Sequence, residues 1–335
     1  MRRVSRLQGT AWAVVLGAGT VWVIALTPLR STEGFALLVA LPGRPMALTL
    51  LGLAIGFGWA ARQEQSRMQW LALSTAALMV CCLFIGRAVA QGLSNAVPAA
   101  SAPALRALSW NTQGVDPGTI ADRVDEVIRE RSIDLIVMPE GLAHRVAENL
   151  DHLGWSNLMF RTEETAVIMR ADLAREAGYK VISGNPPWAG VAITPTTPTA
   201  ATPIIVAVHI QQPSPGNVEV RNEHLDWVHS LCDGSDYVLA VGDFNSTVNH
   251  LYDRRIGACV DVASSVGAGA ASTWPTWLPS WAGISIDRAL VSPPYVPELF
   301  GFEVLHGFDT SGSDGWGSGR GSDHWPILIE VPGEG

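Results

Sequence analysis

The stretch YVLAVGDFNST (Tyr237–Thr247) decides how this chain is read. Tyr237–Val241 is an unbroken run of β-favouring and apolar residues, as in a strand buried on both faces. The run stops at Gly242, and Asp243 and Asn245 follow at once, so polar side chains land where the strand ends. The same punctuation recurs along the chain. Ala104–Trp110 runs into Asn111, Ile133–Met138 into Pro139 and Glu140, and the apolar run from Ile204 into His209. Ile284-Ser285-Ile286 runs into Asp287, and Gly321-Ser322 into Asp323 and His324, just ahead of the apolar run Pro326–Val331. Thr165–Met169 and Val191–Thr194 read as further strands. Helical spacing appears over Thr119–Arg131 (Ile120, Val124, Val127, Ile128) and over Asn222–Leu231 (Leu225, Val228, Leu231). Many strands with few helices between them predict an α/β sandwich of packed sheets, not a doubly wound single sheet. If the strand ends share one sheet edge, Asn111, Glu140, His209, Asp243, Asn245, Asp287, Asp323 and His324 converge on one cleft, where α/β scaffolds commonly carry sites.

Charge divides the chain into two bodies. Of its 335 residues 48 % are apolar and only 16 % charged, against about 25 % in an ordinary globular domain. Residues 1–100 carry eight Arg and two acids, whereas the remaining 235 carry 14 basic and 29 acidic groups, a net of −15, and all eight His. The 13 Trp and plentiful aliphatics exclude disorder. The acidic balance argues against a surface built for duplex DNA, which needs clustered Lys and Arg to displace counterions.

The basic head reads as membrane. Crossing about 30 Å of hydrocarbon takes about 20 mostly apolar residues, and three charge-free stretches approach this: Gly9–Thr27, Met46–Ala61 and Gln69–Ile85, the last extendable to Ala90 past Arg87. Phe35–Leu41 is apolar too, but Arg44 and Pro45 separate it from the second stretch. Arg2, Arg3, Arg6, Arg62 and Arg67 against Arg30 and Arg44 place the amino terminus and the second loop inside. Three spans then put everything after about residue 90 outside the cell; two would put it inside. NAVPAASAP (Asn95–Pro103) reads as a tether. The expected division is a membrane domain over 1–92, a linker over 93–103 and a globule over 104–335. Cys232 and Cys259 either form a disulfide in an oxidising compartment or stay two buried thiols.

Six motifs occur in a fixed order: SWNTQG (Ser109–Gly114), MPEG (Met138–Gly141), VHIQQP (Val208–Pro213), GDFNST (Gly242–Thr247), SIDRALVS (Ser285–Ser292) and GSDHWP (Gly321–Pro326). Together they resemble the endonuclease/exonuclease/phosphatase (DNase I-like) family, over about residues 104–332. Its members include abasic-site nucleases, inositol polyphosphate 5-phosphatases and neutral sphingomyelinases. With Thr273-Trp274-Pro275 and the apolar head, the chain resembles the membrane-anchored bacterial (VanJ-like) type. The resemblance implies a four-layered α/β sandwich and a metal-dependent phosphoesterase. Glu140, a hard oxygen donor, suits Mg²⁺ or Mn²⁺, and the resemblance makes it the principal ligand, with Asn111 and Asp323 assisting. His324 has a near-neutral side chain suited to general base work, and the resemblance pairs it with Asp287. Asp243 would position or deprotonate water, while Asn245 and His209 would neutralise charge on the phosphoryl oxygens. Some nucleases of the family carry an Asp where this chain has Gln113, and the active-site Tyr of the abasic-site nucleases has no clear counterpart, which shifts the expectation toward phosphatase or lipase chemistry.

Taken singly, each of these residues has an ordinary structural explanation: Asp and Asn form turns, and a His after an apolar strand packs. Outside the motifs, Trp274, Trp277 and Trp281 form either a rim or core packing. His250 reads as a loop residue, and His144, His152, His224, His229 and His306 as surface. The Gly-rich run Ser311–Gly321, with Arg320, reads as a loop beside the site. The expected activity is hydrolysis of a lipid-linked phosphate ester by in-line water attack, with the lipid bilayer as partner. The alternatives are an extracytoplasmic Mg²⁺-dependent nuclease and a non-catalytic binding module on the same scaffold.

Overall fold

Runs too apolar for a one-sided strand predict burial on both faces, and the computed structural model places them so. It describes residues 2–24, 43–63, 67–141, 143–150, 155, 159–162, 165–251, 255–311 and 321–333. Among these, one seven-stranded sheet contains β1 (Ala96–Val97), β2 (Pro103–Ser109), β3 (Leu135–Met138), β4 (Met159–Thr162), β5 (Thr165–Met169), β13 (Gly301–Val304) and β14 (Ile327–Pro332). Its order is β1-β13-β14-β2-β3-β5-β4. The other contains β6 (Lys180–Val181), β7 (Gly190–Thr194), β8 (Ile204–His209), β9 (Val238–Asp243), β10 (Arg255–Ile256), β11 (Cys259–Asp261) and β12 (Asp287–Val291), in the order β10-β11-β12-β9-β8-β7-β6.

The inner faces of the two sheets meet through Leu105, Val137, Val167, Ile205, Val241, Ala289 and Ile329. Helix α4 (Pro117–Arg131) and helix α5 (Ala143–Asn149) cover the outer face of the first sheet, Ile120, Val124 and Val146 packing on Leu108, Ile136 and Ile168. Helix α6 (Ala171–Ala177) follows β5, and helix α7 (Val218–Gly234) covers the second sheet through Val228 and Cys232. Four layers result. Cys232 and Cys259 are joined as a disulfide, tying α7 to β11.

Strand direction decides where the polar ends go. Among the described strands only β2–β3 and β8–β9 are parallel pairs, each bridged by a helix, α4 and α7 respectively. Parallel strands end at the same edge, so Asn111 and Glu140 follow one such pair, while His209 and Asp243 close the other. The antiparallel neighbours β14 and β12 begin at those edges: Ile327 pairs with Ser109, and Asp287 with Asp243.

Among the described residues the head holds three helices, α1 (Arg2–Ile24), α2 (Gly43–Gln63) and α3 (Arg67–Gln91). Gly43–Arg62 and Arg67–Gln91 are long and apolar enough to cross a membrane, at mean hydropathy 1.3 and 1.9. The apolar part of α1 is the shorter Gly9–Val21. Small residues Ala11, Ala47, Ala54, Ala61 and Ala77 are buried among the helices, the packing that close helix approach requires. Leu48, Ile55, Trp59, Met79 and Leu83 face outward. Phe35–Leu41 lies outside the described residues.

The stretch read as a tether is held to the globule instead. Ser94 N donates to Gly267 O (3.1 Å), Ala96–Val97 adds to β13 as an edge strand, and Pro103 opens β2. Gly92 takes φ +88°, and a Cβ there would stand 2.0 Å from the Gly267 backbone. Gly269 N and Ala270 N donate to the carbonyls of Gln91 and Gly92 (2.8 and 3.0 Å). Arg87 Nε donates to Asn249 Oδ1 (2.6 Å), and Arg44, near the start of α2, donates to Ala270 O. Helix α3 therefore runs into the globule without slack, because backbone groups at its end find their partners there.

Candidate active site

Eight polar residues were expected at one edge, and seven of them line a single cleft of about 550 Å³: Asn111, Glu140, His209, Asp243, Asn245, Asp323 and His324. The eighth, Asp287, stands directly behind His324, its Oδ2 2.9 Å from Nδ1. The far side of the ring, Nε2, lies 3.8 Å from both Asp243 Oδ2 and Asp323 Oδ1. A carboxylate–imidazole–carboxylate chain thus runs from the buried interior to the cleft. It is fixed from several directions. Thr273 Oγ1 accepts from Ile286 N and Asp287 N (both 3.0 Å), His324 N donates to Ser322 Oγ (3.0 Å), and Trp110 Nε1 donates to His324 O (3.1 Å).

Asp243 receives Asn245 N (2.7 Å) on one oxygen and Asn111 Nδ2 (3.1 Å) on the other. Asn245 Nδ2 reaches Ile210 O (2.9 Å). At Gly242 φ is +143°, and a Cβ would fall 2.2 Å from Val208 O, so only glycine lets β9 approach β8 closely there. Glu140 and Asn245 are non-glycine residues in the left-handed region (φ 51° and 44°), a strain that persists only where surroundings enforce it. Across the cleft, Glu140 Oε1 lies 2.8 Å from His209 Nε2.

Charge in the site follows from these contacts. Burial pushes the His324 imidazole toward its neutral form, but Asp287 and Asp243 outweigh that and raise its pKa to about 10. Burial raises the Asp243 carboxyl, and the His324 charge offsets only part of that. Burial also pushes Glu140 up, yet the hydrogen bond and charge of His209, with His324 and Asn111, hold it below the usual carboxylate range. His324 has a folded pKa above its unfolded value of about 6.5. The stability it contributes is therefore complete below about 6.5 and lost as pH rises through about 10. The chelator-treated full chain is expected to melt at a lower temperature at pH 10 than at pH 7, with a flatter slope in His324→Gln; equal slopes would refute this.

The donors fit a hard divalent cation. Glu140 is an ionised carboxylate on the cleft wall, Asn111 lies within hydrogen-bonding reach of it, and Asp323 presents a second carboxylate, oriented by Trp274 Nε1 (2.7 Å). Asp243, Asp287 and His324 also have ligand atoms within 4.8 Å of one another, but the Nδ1–Asp287 hydrogen bond occupies the imidazole lone pair or proton on that side. With Nδ1 committed to Asp287, the trio is arranged as a carboxylate–imidazole–carboxylate chain, and the Glu140 side offers a cation the freer donors.

Sequence reasoning missed several parts. Trp188, at φ 64° and half exposed, forms part of the cleft wall; no motif marks it. Arg288, beside Asp287, is wholly buried. Its Nε donates to Ser246 O (2.8 Å) and its Nη1 pairs with Asp261 (3.0 Å), so it braces the loop after β9 against the end of β11. Asp261→Ala would leave that guanidinium buried without a counter-charge. It is expected to cost about 3–5 kcal/mol of stability, read by chemical unfolding of the full chain; a cost within the scatter of surface substitutions would exclude the bracing role. His224, read as surface, is buried, its Nδ1 accepting from Gln211 N (3.2 Å) because α7 lies along the strand that ends at His209. His250 is buried as well and accepts from Thr247 N (3.0 Å). Trp274 lines the cleft, while Trp277 and Trp281 are exposed. His152 and residues 312–320, Arg320 included, lie outside the described residues, as does the side chain of His144.

The model of the Endonuclease/Exonuclease/phosphatase family matches residues 108–324. No curated protein matches the chain. Among solved structures, it is similar to an endonuclease/exonuclease/phosphatase family protein from Leptotrichia buccalis (14 % identity, TM-score 0.49, covering 68 % of this chain and 100 % of that one). It is also similar to a mannosyl-6-phosphatase from Bacteroides thetaiotaomicron (15 %, 0.47, 68 % and 98 %) and to a 3′ phosphatase from Neisseria bound to product DNA hairpin (16 %, 0.48, 68 % and 100 %).

Proposed function

The chain belongs to the endonuclease/exonuclease/phosphatase family, and we propose that it is a membrane-anchored phosphoesterase, dependent on Mg²⁺ or Mn²⁺, that hydrolyses the phosphate ester of an amphiphile. In this reading it is of the membrane-anchored bacterial type, spans the bilayer three times and holds its catalytic domain outside the cell. The observation that carries the substrate class is the cleft wall. Among the described residues lining it there is no Lys or Arg, while Trp188, Trp274, Ile284 and Ile286 supply an apolar flank. A nucleic acid strand would call for cations along its backbone; one phosphoryl group on an apolar body calls for a polar end and an apolar wall. The Cys232–Cys259 disulfide supports an oxidising compartment, and the arginine distribution supports the same side.

Glu140, with Asn111 and Asp323, would hold the cation. When bound, the cation draws charge from the phosphoryl oxygens and eases departure of the leaving oxygen. Asp287 and Asp243 favour the protonated imidazole of His324, which leaves the Asp243 carboxylate as the proton acceptor facing the cleft. His324 and Asp243, both expected to act on the attacking water, work in this reading as a pair. Asp243 takes the proton of the attacking water, and the imidazolium, held by Asp287, neutralises charge gathering on the phosphoryl group. Asn245 and His209 donate to the non-bridging oxygens. Trp274 keeps Asp323 turned into the cleft.

The test is a substrate panel on the detergent-solubilised full chain with Mg²⁺ or Mn²⁺: lipid monophosphates, lipid pyrophosphates, phospholipid diesters and plasmid DNA, each beside Glu140→Ala. Release from a lipid phosphate by the wild type alone supports the proposal. DNA nicking without lipid cleavage would replace it with the nuclease reading, and no turnover of any substrate would favour a binding module.

A further inference from the structure

The 25 residues between Asp261 and Asp287 carry no charged side chain. This segment joins the foot of the membrane helices to the rim of the cleft. At one end, Gly269 and Ala270 bond the carbonyls that finish α3, and Arg44 of α2 reaches Ala270 O. At the other end Trp274 and Ile284, both lining the cleft, pair as an antiparallel bridge that closes the loop 275–283. Two turns, Leu278 N to Pro275 O (3.2 Å) and Ala282 N to Pro279 O (2.7 Å), shape that loop. Trp277 and Trp281 project from it into the surroundings, 69 % and 49 % exposed.

We propose that the loop 275–283 seats in the interfacial layer of the bilayer, with Trp277 and Trp281 among the headgroups, so that an amphiphile enters the cleft from the membrane along this loop. The inference rests on the membrane-anchored reading above and deepens it. Three observations favour a lipid surface as the occupant. The loop is continuous with the segment that meets the ends of α2 and α3. Arg87 and Arg44, near those ends, reach globule residues close to the site: Asn249 lies four residues after Asn245, and Ala270 three before Thr273. That face of the globule therefore stands at the level where arginines meet headgroups. Finally, exposed tryptophans in a segment of sequence without charged residues suit the interface, where the ring is sheltered and the indole N–H stays wet.

The experiment uses the full chain in vesicles of phosphatidylcholine and phosphatidylglycerol, with and without bromine near the acyl carbonyl. The emission lost between wild type and Trp277→Phe/Trp281→Phe reports the two loop residues; that lost in Trp59→Phe, outward on α2, reports the anchor. The expected result is that brominated lipid quenches the loop emission at least twofold while aqueous acrylamide barely touches it. Loop emission quenched by acrylamide but not by brominated lipid would overturn the proposal while leaving the anchor standing. Emission shielded from both would overturn it in favour of a second copy of the chain covering the loop. Failure of brominated lipid to quench Trp59 as well would overturn it together with the membrane reading itself.

Discussion

Replacing His324 with Ala is expected to lower kcat by about 10²–10⁴-fold, with KM changed far less. The reason is where the ring stands. Nδ1 is committed to Asp287 at 2.9 Å, Nε2 faces the cleft beside Asp243, and the side chain is buried, so bulk water cannot replace its charge. Asp287→Asn separates this role from mere packing. The amide keeps the volume and can still hydrogen-bond Nδ1, but removes the charge that keeps the imidazole protonated. Its kcat is expected to fall by about 10²–10⁴-fold, and the limb of the pH–rate profile owed to His324 to move to lower pH. Wild-type kcat and profile in Asp287→Asn would mean that the pair takes no part in the chemistry. These measurements need only one phosphate ester that the full chain turns over.

Glu140→Ala is expected to raise the cation concentration for half-maximal activity by at least about 100-fold, since even residues behind the direct ligands of a metal typically account for 10–100-fold in affinity. Gln113 is neutral and the described cleft has few other carboxylates, Asp243 and Asp323, of which Asp243 is engaged by Asn111 and Asn245. Glu140→Gln, which keeps the shape and loses the charge, should fall close to the alanine variant if the charge is what binds. Isothermal titration of Mn²⁺ into both variants, alongside activity, measures this directly. Unchanged Mn²⁺ affinity in Glu140→Ala would move the cation to another donor set, with Asp243, Asp287 and His324 the next candidate.

Much of the architecture is legible without coordinates where burial is symmetrical. Thr165–Met169 matches the strand residue for residue, and Leu135–Met138, Ile204–His209 and Val238–Asp243 differ from their expected bounds by a residue or two. Each has a helix on one face and the second sheet on the other, which forces an unbroken apolar run. The edges leave no such trace. Ala96–Val97 is two residues in an Ala/Pro-rich stretch and is a strand only because β13 offers it a ladder. Next to it, Gly301–Val304 has a buried stretch interrupted by the half-buried Glu303, and is defined by β14 beside it.

Local pattern alone determined that apolar strands end in polar residues, that the head is apolar and basic while the globule is acidic, and which ionisable side-chain types stand at the strand ends. That information is local, because strand burial and ionisable type are written residue by residue. Only the tertiary structure decided that β2–β3 and β8–β9 each run parallel, so that their ends meet; that Asp287 stands behind His324 and His209 across from Glu140. It alone seated the end of α3 on the segment that leads to the cleft, closed the 232–259 disulfide and buried Arg288 on Asp261. Those contacts join residues dozens to hundreds of positions apart, and their registers are fixed by how the two sheets pack rather than by any segment's own preference.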